Sequence, residues 1–209
     1  MRAIVRVLIV ASAVAAVASS TALAAAPVPD SHDRALALAL GRKVATFRAL
    51  KDETDPTSSL NDCAYFKKHP DAAFGAIFAL LPVLIAELVN DHRAELTDLR
   101  TTLVNLKPHS SLFRRWAAAE GATFTMILKY DNHGMKIDDC EAATVLSAKN
   151  PSPADVKRVT GLEMSVLLSL FSDESGAISD RLAKLNPKMR AFFLAAGVPR
   201  IDAVDMTKT

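Results

Sequence analysis

Glycine is scarce in this chain, seven residues in 209, which leaves little material for the closely spaced glycines of a phosphate-cradling loop. No G-x-S-x-G elbow, H-E-x-x-H pair, C-x-x-C or C-x-x-C-H run is present, so the common serine-hydrolase, zinc-protease, dithiol and haem-attachment patterns are missing. Strand signals are missing too: there is no sustained alternation of apolar and polar residues and no Asn-Gly or Asp-Gly turn. Helix signals recur instead. The expected fold is all-α, a single bundle of about seven or eight helices around a buried apolar central helix.

Neither sign of charge is in excess once the N-terminus is considered. The opening run, with Arg2 and Arg6, an apolar stretch and then Ala22-Leu23-Ala24, has the three parts of a secretory signal peptide. Cleavage after Ala24 leaves residues 25–209, one domain of about 185 residues, large enough for its own hydrophobic core. It also removes two of 25 basic residues against 23 acidic ones, so the remainder is formally neutral. A neutral chain without a basic stripe argues against nucleic acid as a partner. The expected location is outside the cytoplasm, periplasmic or secreted.

Only two cysteines occur, Cys63 and Cys140. In an exported chain an even count reads as disulfide-bonded, and one intrachain Cys63–Cys140 bridge is expected. Each cysteine follows an aspartate near an expected helix start, which would put both at one end of the bundle.

Long hydrophobic runs are also few. After the signal, the most apolar stretch is Ala72–Ala86, fifteen residues without a charge. As a helix it would reach about 22 Å against about 30 Å of bilayer hydrocarbon, and it contains Gly75, Pro82 and five alanines. A buried core helix is therefore expected, with no membrane span, and with Pro82 splitting or kinking the helix near Leu81. Beyond it, Leu84, Leu88, His92, Leu96, Leu99, Leu103 and Leu106 are spaced by threes and fours on one face. The helices are expected near 31–52, 57–68, 71–106, 110–131, 137–148, 153–172, 174–185 and 187–196. Their ends are set by signals such as Ser152-Pro153, Asn186-Pro187 and Gly197.

Metal ligation finds little support in the spacing. His92 stands within the leucine stripe with Glu95 one turn on, but a dimetal helical site needs Glu-x-x-His on two helices. The segment 131–141 gathers Asp131, His133, Asp138, Asp139 and Glu141 in a pattern that does not match a calcium-binding loop. Helix ends and starts account for those residues more simply, and His32, His69 and His109 read as loop residues. No metal, cofactor or catalytic residue is assigned, and the chain is not expected to be an enzyme. Two functions remain. One is a soluble exported protein that binds a protein partner in the envelope or outside the cell, as an adaptor, chaperone-like protein or secreted factor. The other is a carrier or sensor of an apolar ligand or lipid, held in a cavity beside the kinked helix 71–89 and lined by Phe74, Phe78, Leu81 and Pro82.

Overall fold

The computed structural model describes residues 28–49, 63–68 and 79–198; the proposed leader, Phe74, Phe78 and His69 lie outside them. Among the described residues the chain is mostly helical and has no strand. The α-helices are α1 (Ser31–Ala49), α2 (Ala64–Lys68), α3 (Leu81–Asn105), α4 (Ser111–Ile127), α5 (Asp139–Leu146), α6 (Pro153–Thr160), α7 (Met164–Ser169) and α8 (Asp173–Ala196). One 3-10 turn, Leu128–Tyr130, extends α4. None of these helices is long and apolar enough to cross a membrane.

The leucine stripe does what its spacing implies. Leu84, Leu88, Leu96, Leu99 and Leu103 are buried, and α3 lies along α4. On α4 the small residues Ala117, Ala118, Gly121 and Ala122 allow a close approach. A Cβ added at Gly121 would stand 3.1 Å from the Val104 side chain. The other side of α4 meets α8 through Phe113, Trp116, Phe192 and Phe193, which make ring contacts with centroids 5.2–6.3 Å apart, each tilted or edge-on. Helix α1 completes this main core with Ala37, Leu40 and Val44.

A smaller core lies beside it. Cys63, Phe66, Leu80, Val83, Ala142, Ala143 and Val159 form a separate buried cluster, and Cys63 is bonded to Cys140 within it. The expected bridge is therefore present. Cys63 immediately precedes α2, and Cys140 is the second residue of α5, whose N-cap Asp138 accepts from the Cys140 and Glu141 N–H groups. The acids of that segment serve a helix start, as their positions imply.

Local signals place several boundaries correctly and three incorrectly. Ala79 is helical, Leu80 is a turn and α3 begins at Leu81, so the expected interruption is where Pro82 puts it. In the first turn of α3 the proline's missing N–H has no helical carbonyl to reach. A second interruption was not expected: His92 leaves helical geometry at φ −132°, ψ 30°. The expected helix 153–172 is two helices, because Gly161 adopts φ +72° and closes α6. The expected pair 174–185 and 187–196 is one helix, α8, with Pro187 inside it. Asn186, read as a cap, instead accepts the Trp116 indole N–H at 3.0 Å and ties α8 to α4.

Gly161 has no room for a side chain. An added Cβ would lie 3.0 Å from Asn132 Cβ and 3.1 Å from Met135 Sδ, in a left-handed conformation that costs an ordinary residue about 1–2 kcal/mol. Gly161→Ala is expected to destabilise the protein by about 2 kcal/mol and lower its melting temperature by several degrees. Gly176→Ala, in α8 with nothing within 4 Å, should instead stabilise by about 0.5–1 kcal/mol. Thermal melts of the two variants check the opposite signs.

Candidate functional site

Three charged or polar arrangements and one apolar protrusion stand out from the packing. The first joins the start of α1 to the turn between α3 and α4. Asp33 is 1% exposed, and its two carboxylate oxygens accept the backbone N–H groups of His109 and Ser110, each at 2.8 Å. Asp30 accepts the Asp33 N–H at 2.8 Å and pairs with His109 Nδ1 at 2.8 Å. The His109 ring stacks on His32 with centroids 4.3 Å apart. His32 is thus in the first turn of a helix and not in a loop, a correction to its sequence reading.

Asp30, Asp33 and His109 bring ligand atoms within 4.8 Å of one another, as a metal site would require. Each carboxylate oxygen, however, already has a hydrogen-bond donor: two backbone N–H groups for Asp33, one backbone N–H and one imidazole nitrogen for Asp30. The Asp33 N–H bond and then the His109 contact hold the Asp30 carboxyl below its ordinary range. The arrangement is a clasp that fixes the turn 106–110 and, with it, the spacing of α3 and α4 at that end.

Beside the clasp, α3 and α4 leave an open groove of about 450 Å³. Leu103, Leu106, Ala117 and Ala118 contribute apolar lining, and Val104, 53% exposed, stands in the same groove. Lys107 and Arg114 are its two cations, both exposed; Arg114 also donates to the His109 carbonyl at 3.1 Å. The groove therefore suits an apolar group with negative charge next to it.

The second polar arrangement surrounds Asn132, buried under the turn 131–135. Its side-chain N–H groups donate to the Met135 and Thr160 carbonyls, and its oxygen accepts from Asn90. Asp131 accepts the His133 N–H at 2.9 Å and forms an ion pair with Arg93. Burial pushes the Asp131 carboxyl up, but the His133 N–H and the Arg93 guanidinium outweigh it and hold the group below its usual range. These bonds account for the acids and amides of the turn as structure. His92, which the sequence marked, is half-buried at the interruption of α3.

The third is a single group. Glu120 is 5% exposed on α4, one turn after Trp116, and burial pushes its carboxyl up to about 7 with no compensating charge or donor.

The protrusion is built by α7 and the turn that joins it to α8. Leu162 and Leu167 are buried and hold the short helix down, and Ser169 Oγ lies 3.1 Å from the Tyr130 hydroxyl at the far end of α4. Ser172 caps α8 by accepting the Ser175 N–H. Between these anchors Leu168 and Phe171 point outward, 59% and 64% exposed. Exposed Asp173 and Glu174 follow directly, while Glu163 is neutralised by Lys157. The sequence reading singled out none of these residues; the run Val166 to Phe171 is apolar at every position but Ser169, with no sign of which side is left uncovered.

Of the residues expected to line a ligand cavity, Leu81 and Pro82 are buried at the start of α3. The groove described above is at the opposite end of that helix. Comparison with protein-family models, curated proteins and solved structures finds no match to this chain.

Proposed function

We propose that residues 1–24 are a signal peptide and that residues 25–209 form one helical bundle around the apolar helix 71–89, exported to the periplasm or beyond, which binds a protein partner without catalysis. The observation that carries the binding reading is the pair Leu168 and Phe171, more than half exposed at the end of α7 and in the turn that follows it, both anchored from below. Leaving two large apolar side chains together in water forgoes about 1.5–3 kcal/mol each, a gain that burial in a partner recovers. The fixed backbone supports this use, since the side chains are presented by Leu167, Ser169 and Ser172 contacts and need little ordering on binding. Asp173 and Glu174 beside them select a partner whose apolar pocket has a basic edge.

A photo-reactive residue at position 171, expressed in the full chain in cells, tests the reading. The product is expected to begin at Ala25 and to cross-link to a discrete protein, whereas the same residue at exposed position 188 should not. Equal, diffuse labelling from both positions would overturn the reading, and retention of residues 1–24 would overturn the export it assumes.

A further inference from the structure

We infer that the partner is a second copy of this chain, with the Leu168–Phe171 protrusion of one copy seated in the α3–α4 groove of another; this rests on the partner-binding reading above. The two surfaces complement each other in chemistry. The protrusion offers two apolar side chains followed by Asp173 and Glu174. The groove offers an apolar lining of Leu103, Leu106 and Ala117, an exposed Val104 and the cations Lys107 and Arg114. Apolar groups meet apolar groups while two acids meet two bases, an arrangement that also fixes the direction of docking.

The two surfaces cannot meet within one molecule. The groove involves residues 114–118 at the start of α4, whereas the protrusion is tied to Tyr130 at its other end. From the groove residues 114–118 to Tyr130 the helix and its 3-10 turn span about 18–24 Å. The contact is therefore between different patches of two copies, which propagates as a chain or closes as a two-fold pair. A contact centred on one leucine and one phenylalanine is small beside the roughly 800 Å² per partner of a standard interface, so the association is weak and reversible.

Sedimentation of the purified full-length mature protein from about 10 μM to about 1 mM, the range suited to such a contact, tests the inference. The mass is expected to rise with concentration, and Phe171→Asp should weaken association at least about tenfold while leaving the melt unchanged, since the residue is exposed. Lys107→Glu/Arg114→Glu should do the same from the groove side. Because Arg114 also bonds the His109 carbonyl, Val104→Asp is the second groove variant. The decisive result is complementation: Phe171→Asp mixed with a groove variant keeps one intact protrusion and one intact groove, and should form one-to-one dimers that neither variant forms alone. A mixture that stays monomeric overturns the docking. If the wild-type protein stays monomeric while position 171 cross-links to a different protein, the self-association falls and the partner-binding reading stands. If neither association nor a specific cross-link appears, both fall.

Discussion

Reduction of the Cys63–Cys140 bridge is expected to lower the unfolding free energy by about 4.5 kcal/mol, the chain-entropy value for a closed loop of this length at 25 °C. The two residues are 77 positions apart, and the loop between them includes the whole of α3 and α4. A domain's net stability is only about 5–15 kcal/mol, so this one bond accounts for a large share of it. At roughly 2–4 °C per kcal/mol for a chain of this size, the reduced protein should melt about 10–15 °C below the oxidised one. Cys63→Ser/Cys140→Ser should melt with the reduced form. The loss should also be uneven. Cys63 and its neighbours Phe66, Val83 and Ala142 belong to the smaller core, and the aromatic cluster of α4 and α8 does not depend on it. Hydrogen exchange of the reduced protein should accelerate first in α2 and α5, with α4 and the second half of α8 protected longest. Melting temperatures within about 3 °C of each other would show that the bridge is not a structural cross-link.

That bond was readable from the sequence because two cysteines allow only one intrachain pairing. The leucine stripe of α3 was equally readable, since spacing by threes and fours survives any choice of neighbour. Both are properties of short range or of counting. The errors came where a local signal had two uses. Asn186-Pro187 resembles a helix start, yet the Asn186 side chain is engaged by Trp116, 70 residues away, and α8 continues through the proline. Gly161 closes α6, but the apolar pattern on either side of it runs on without a break. The same reasoning explains why the surfaces of interest were missed. The Asp33 clasp joins residues 76 and 77 positions apart, and no spacing rule connects them. The exposure of Leu168 and Phe171 follows from which side of α7 and of the turn after it the rest of the protein leaves uncovered, a property of the assembled helices and not of the segment itself.

Glu120→Gln is expected to stabilise the protein at pH 8 by about 3 kcal/mol and to leave it unchanged at pH 4. Burial raises the carboxyl from 4.5 to about 7, and a shift of one unit corresponds to about 1.4 kcal/mol. The sign follows from proton binding. Below about pH 4.5 the group is protonated in both folded and unfolded chains and contributes no difference. Between about 4.5 and 7 the unfolded chain releases the proton while the folded chain keeps it, so stability falls as pH rises. Above about 7 the folded protein carries a charge in an apolar setting, and the penalty is fully present. Glutamine has the shape of the protonated acid and cannot ionise, so it retains the packing and avoids that penalty. The carboxyls of Asp30 and Asp131, both held low, give the opposite slope at acid pH, but they are common to the two proteins and cancel in the difference. Trp116 lies one turn before Glu120 on the same side of α4 and is the only tryptophan in the chain. Its fluorescence during urea unfolding therefore reports on the same part of the core. The two proteins should unfold together at pH 4 and separate progressively to pH 8, with the variant the more resistant; parallel curves across that range would mean that Glu120 is solvated or paired in solution.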